Sequence, residues 1–105
     1  ASLAPCRLPV EVATALADSA AAALANVARH APGATASLRL AREGGAVVVE
    51  VVDDGPGFDP ATVPAHRYGL RESIHGRMTT VGGRALVTSA PGAGTRIRLE
   101  WSDAD

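Results

Sequence analysis

The sequence contains no lysine; all ten basic residues are arginine, and they are scattered along the chain. A P-loop needs a Lys after its Gly-rich turn, so any nucleotide site here must be built another way. Arginine without lysine, beside abundant alanine, reads as the codon bias of a GC-rich genome. A net charge of −1 with no basic cluster leaves no electrostatic footprint for nucleic acid. The single Cys6 excludes an internal disulfide and fits a reducing compartment. No apolar run approaches the ~20 residues that span a bilayer. The start, ASLAPCRLPVE, has neither a basic opening nor a sustained apolar stretch. Neither a signal peptide nor membrane contact by the domain is therefore expected, and the location is expected to be cytoplasmic, either for the whole protein or as the cytoplasmic part of a membrane-bound one. No methionine opens the chain, as in an excised or processed fragment. His30, His66, His75 and Cys6 show no ligand spacing, which argues against a soft-ligand metal site.

What is present suits one domain over 1–105, with a core from about 12 to 101. Val12 to Ala31 is rich in Ala and Leu and is stopped by Pro32-Gly33, which predicts a helix. Leu16, Ala20, Ala23, Leu24, Val27 and Ala31 form a core-facing stripe. Ala22, Asn26, Arg29 and His30 lie about 100–160° away around that helix. An Asn in mid-helix is a poor propensity choice, so it either meets solvent or has a task. Thr35 to Ala41, with Ala36, Leu38 and Leu40 alternating inward, and Ala46 to Val52 predict a hairpin turning at 42–45. The valine-rich second strand is expected to be central. Asp53 to Arg67 holds too many breakers for regular structure and reads as a functional loop. A helix from Leu70 to Val81, interrupted at Gly76, and strands Arg84 to Ser89 and Thr95 to Trp101 complete an α-β-β-loop-α-β-β order. An α+β two-layer sandwich, one sheet backed by helices, packs these elements economically.

The stretch VVVEVVDDGPGFDP ends a buried strand on two carboxylates and a Gly-Pro-Gly turn, where a simple reversal would need only one glycine. Together with Asn26 and Gly94-Thr95 it forms a pattern that resembles the GHKL (Bergerat-fold) ATP-binding domains of gyrase B, Hsp90, MutL and the sensor histidine kinases. ALANVARHA (23–31) resembles the N box, DDGPGF (53–58) the G1 box, YGLRES (68–73) a partial G2 box, and SAPGAGT (89–95) the closing Gly-Thr motif. The resemblance runs from about Val12 to Trp101. It is nearest to the catalytic domain of bacterial two-component kinases of the nitrate-sensor and lipid-fluidity-sensor type, and implies a mixed sheet backed by helices.

By this resemblance the cofactors are ATP and Mg²⁺. Asp53 would accept a hydrogen bond from the adenine amino group and so disfavour guanine. Gly55 and Gly57 would let the backbone approach base and sugar, and Thr95 would support the carboxylate through its hydroxyl or a water. Asn26 would ligate Mg²⁺, with phosphates and water completing the octahedron. Arg29 and His30 would lie within reach of phosphate charge. Gly69-Leu70 would open a helix whose N-terminal amides face the phosphates. Asp54 reads as a turn residue or cap. His66, in the expected lid, and His75, in the second helix, read as surface residues without the flanking expected of a phosphoacceptor.

The chain departs from the family pattern twice. One helical turn before Asn26, where a Glu or other polar residue is usual, stands Ala22, whose methyl cannot take a proton. The expected Gly-x-Gly reads Arg67-Tyr68-Gly69, with one glycine. Nucleotide binding is thus implied more strongly than catalysis, and no residue is assigned as catalytic. The implied partners are a histidine phosphoacceptor and dimerisation domain and a response regulator. Two alternatives remain: a serine kinase acting on an anti-anti-sigma factor, and a catalytically degenerate ATP-binding module.

Overall fold

The structure is a computed structural model and describes residues 7–59, 61 and 65–102. Its order is α1 (Val10–His30), β1 (Ala36–Glu43), β2 (Ala46–Asp53), α2 (Ala65–Thr80), β3 (Arg84–Ser89) and β4 (Thr95–Ser102). The four strands form one sheet in the order β1-β2-β4-β3, antiparallel at every pairing. The expected two-layer α+β architecture is present, with β2 central. Where the resemblance implied a mixed sheet, the described strands make a purely antiparallel one.

Both helices cover one face of the sheet. Val47, Val51 and Leu99 from the strands meet Ile74 and Met78 from α2 and Val12, Leu16 and Ala23 from α1. With 21 residues, α1 is long and apolar enough to pass a length-and-composition test for a membrane span. Its apolar stripe instead lies in this core, as in a buried helix of a globular domain. The buried arc of α1 is wider than the apolar stripe and takes in Ser19 and Asn26, because α2 as well as the sheet packs against the helix.

Four local expectations are corrected by the packing. Leu38 and Leu40 remain 58% and 60% exposed. β1 is an edge strand, and α1 lies over β2 and β4. The hairpin is tighter than expected, since pairing continues to Glu43 opposite Ala46 and leaves only Gly44-Gly45 to turn, with Gly44 at φ +63°. The long loop ends earlier, at Ala65 rather than after Arg67, because no breaker follows Pro64 until Gly69. Gly76 does not interrupt α2. A helical glycine costs about 1 kcal/mol, and the fully buried Ile74 and Met78 on either side hold the helix together.

The opposite face of the sheet is covered by charge. Arg98 bonds Glu43 and Glu100, Arg84 bonds Glu100, and Glu50 lies near Arg39, Arg96 and Arg98. The Arg98 hydrogen bond, followed by that from Arg84, holds the Glu100 carboxyl below its ordinary range. Long arginine stems can roof apolar surface, and Val48 on this face is only 1% exposed.

Ser19 breaks the logic of the core, since its Oγ is fully buried and has no hydrogen-bond partner among the described residues. An unsatisfied buried hydroxyl costs about 1–3 kcal/mol, and alanine is the better helix former. Ser19→Ala is therefore expected to raise the melting temperature by about 4–8 °C, the equivalent of ~1 kcal/mol in a domain of this size. A fall in the thermal scan would show that the hydroxyl is bonded in solution.

Candidate functional site

The apolar run of β2 ends at Asp53, which is only 5% exposed. Its Oδ1 accepts the Gly55 N–H at 2.9 Å, so the loop folds back on the side chain that begins it. Asp54, exposed, serves structure: its Oδ1 accepts the Thr35 N–H at 2.7 Å and its own N–H bonds Thr35 O at 3.1 Å. It is the turn residue the sequence suggested. Directly across the ladder from Asp53 stands Thr95, 3% exposed and on the same face.

The loop after Asp53 is tied to the β3–β4 connection. Gly92 N–H bonds Pro56 O at 2.7 Å, and Phe58 N–H bonds Ser89 Oγ at 2.9 Å. Two glycines make this approach possible. A Cβ on Gly57 (φ +66°) would lie 2.1 Å from Ala90 O, and one on Gly94 (φ +72°) would lie 2.1 Å from Asp53 O. Gly57 is thus required by contact between two loops, and Gly55, whose Cβ would meet Asp53 Oδ1 at 2.9 Å and Ala31 Cβ at 3.0 Å, by contact with the Asp53 carboxylate and the C-cap of α1. Thr95 Oγ1 lies 2.9 Å from Ser89 Oγ; the hydroxyl is engaged there.

Asn26 does not face solvent. It is 8% exposed in the penultimate turn of α1, and its Nδ2 is buried without a hydrogen-bond partner among the described residues. Such a group normally has a partner. Arg29 and His30 are exposed in the last turn, where positive charge also complements the helix dipole. The α1 C-terminus leads directly to the start of β1, which pairs with Asp53, so these residues and Asp53 share one end of the sheet.

Gly69 and Leu70 need correction. They do not open α2, which begins at Ala65 and places them in its second turn. Their amides are committed to the helical ladder, since only first-turn N–H groups are free. Gly69 is exposed. Leu70 still borders the site, lining with Phe58, Val87, Thr95 and Ile97 a small cavity between α2 and the sheet. His66 falls in the first turn of α2 rather than in a loop, and His75 is exposed on the same helix, as expected. The residue missed at the sequence level is Ser89, which joins both loops; its only signal was its place at the head of SAPGAGT.

Residues 12–105 match the family model for histidine kinase-, DNA gyrase B-, and HSP90-like ATPases. The sensor histidine kinase LiaS of Bacillus subtilis (strain 168) is 36% identical over 78 residues, covering 74% of this chain and 21% of that protein. The chain therefore spans about a fifth of the length of that relative. Among solved structures, the blue-light activated histidine kinase of Erythrobacter litoralis EL346 superposes with a TM-score of 0.75 at 25% identity, over 90% of this chain and 31% of that one. The mycobacterial sensor histidine kinase MprB superposes with a TM-score of 0.67 at 23% identity, a likeness of fold, over 85% of this chain and 70% of that one. The motifs, the fold and the match over residues 12–105 have one source: the chain belongs to the histidine kinase-, DNA gyrase B- and HSP90-like ATPase family.

Proposed function

We propose that this chain is the ATP-binding catalytic domain of a two-component sensor histidine kinase of the nitrate-sensor and lipid-fluidity-sensor type. On this reading it is a single domain, placed in the cytoplasm, that presents ATP to a histidine on a separate dimerisation domain, from which a response regulator is served. The observation that carries the reading is the buried Asp53 carboxylate. One oxygen is held by Gly55 N–H, and the side chain sits opposite Thr95 at the end of the sheet to which the last two turns of α1, carrying Asn26, Arg29 and His30, lead. A carboxylate so placed accepts from the adenine amino group, while Arg29 and His30 at the end of α1 meet phosphate charge.

Among the described residues no group of three or more His, Cys, Asp and Glu side chains could cage a metal ion. Mg²⁺ is nonetheless compatible with this site, because it needs only one or two protein oxygens when phosphates are present. Asn26, whose amide nitrogen is buried without a partner among the described residues, would hold the ion through its side-chain oxygen. When bound, the ion neutralises charge on the transferring phosphoryl group.

Mg·ATP at about 100 times its dissociation constant is expected to stabilise the domain by ~2.7 kcal/mol, which raises its melting temperature by about 10–20 °C. GTP protecting as well as ATP, or neither protecting, would reject the reading. Asn26→Ala is expected to weaken Mg·ATP while sparing ADP in EDTA, measured by calorimetric titration. Equal losses in both conditions would remove Asn26 from the metal.

One observation favours a second reading, a degenerate module in which ATP only sets a conformation. Ala22, half-buried one turn before Asn26, offers no proton acceptor. Phosphohistidine formation by the chain joined to its dimerisation helices decides for the kinase. Its absence despite tight ATP binding decides for the module.

A further inference from the structure

We propose that Ser89 is a positioning residue that makes the Thr95 hydroxyl a hydrogen-bond acceptor only, so that Thr95 and Asp53 together read an exocyclic amino group and reject a carbonyl. The inference rests on the nucleotide reading above and concerns how the base is selected. Ser89 Oγ lies 2.9 Å from three atoms: the carbonyl oxygen of Gly94, the amide nitrogen of Phe58 and Oγ1 of Thr95. A hydroxyl has one proton and two lone pairs. The carbonyl can only accept, so it takes the Ser89 proton. The Phe58 N–H can only donate, so it occupies one lone pair. The other lone pair requires a donor, and Thr95 supplies it. Reversing the Ser89–Thr95 bond would leave the Ser89 oxygen facing the Gly94 carbonyl with no proton between them.

Thr95 is thereby left with lone pairs alone. It is 3% exposed and stands opposite Asp53, which is 5% exposed and has Oδ1 occupied by Gly55 N–H. The polar atoms that remain for a ligand on this pair are Asp53 Oδ2 and Thr95 Oγ1, both acceptors. Two neighbouring acceptors without a donor suit a group that brings two N–H bonds, or a water donating to both. The amino group of adenine meets this demand; the oxygen at the same position of hypoxanthine or guanine sets acceptor against acceptor. Because the Thr95 proton is committed to Ser89, the hydroxyl cannot turn to rescue a carbonyl.

Mg·ATP and Mg·ITP, which differ at this position as amino against oxo, provide the probe in calorimetric titrations. Wild type is expected to prefer ATP, and Ser89→Ala, which frees the Thr95 proton, to reduce that preference about tenfold. Ser89→Thr, retaining a hydroxyl, is expected to keep it. Ser89→Ala in a Thr95→Val background is expected to change the preference no further. Were Ser89 merely structural, its loss would weaken both nucleotides together and leave the ratio intact; that result overturns the proposal. If Ser89→Ala does not fold, Thr95→Val decides. It should weaken ATP and leave ITP within about twofold, whereas equal loss of both overturns the acceptor assignment. Wild type binding ATP and ITP alike would count against the reading of the base by Asp53 as well as against this inference, whereas an ATP preference that Ser89→Ala leaves intact removes this inference alone. Wild type binding neither removes the nucleotide reading too.

Discussion

Gly94→Ala is expected to destabilise the domain by about 2–5 kcal/mol. At φ +72° an L-residue costs about 1–2 kcal/mol, and forcing atoms into a filled space adds about 1–3 kcal/mol. The new Cβ would lie 2.1 Å from Asp53 O and 3.2 Å from Asp54 Cα, so β4 could not approach the end of β2. Against a total stability of roughly 5–15 kcal/mol this is a large share, and it corresponds to a fall in melting temperature of about 10–25 °C. Gly92→Ala is the control, because Gly92 has nearly the same backbone (φ +77°) and nothing within 4 Å of its Cβ. The difference between the two variants in urea or thermal unfolding isolates the contact with Asp53. Equal losses would show that the two loops are not so close in solution.

Asp53→Asn is expected to reduce ATP affinity by about 30- to 1000-fold, equivalent to ~2–4 kcal/mol. The wild-type carboxylate is acceptor-only: Oδ1 takes the Gly55 N–H, and the other oxygen remains for the base. An amide has one oxygen and one NH₂ for these two places. If its oxygen keeps Gly55, the NH₂ faces the adenine amino group. If it flips, the NH₂ faces the Gly55 N–H. Either rotamer sets donor against donor and also removes a charge-assisted bond. The unliganded fold should tolerate the change, since the first rotamer preserves the bond to Gly55. Titration of Mg·ATP into a folded Asn variant tests this, and wild-type affinity would exclude Asp53 from base recognition.

The parts of this fold that were legible depend on short-range chemistry. A gap-free Ala/Leu stretch stopped by Pro-Gly can only be a helix, and a run of valines between turns wants both faces covered. DDGPGF announced a site because a strand rarely ends on two acids and a strained turn without reason. The failures arose where long-range packing overrode the local signal. Leu38 and Leu40 alternate like core residues, yet α1 lies over the neighbouring strands and leaves them exposed. Gly76 looks like a break, yet Ile74 and Met78 carry the helix past it.

The candidate site divides in the same way. Asp53, Gly55, Asn26 and Thr95 could be named from the sequence because an acid-and-glycine strand end, a mid-helix Asn and a closing Gly-Thr stand out locally and together resemble the family motifs. The glycines of the loop could be named too, but not the reason for them: Gly57 is opposed by Ala90, more than thirty positions away in sequence. By itself the sequence determined most of the elements and the acidic turn, which follow from propensity and spacing within a few residues, and it carried the motifs through which the family resemblance is drawn. Only the tertiary structure decided that Asn26 is buried with an amide nitrogen unsatisfied among the described residues, that Gly69-Leu70 stand inside a helix rather than at its mouth, and that Ser89 reaches Thr95, Gly94 and Phe58 at once. Burial and hydrogen-bond partners are set by whichever groups happen to face one another, and those groups come from strands and loops the chain brings together only when it folds.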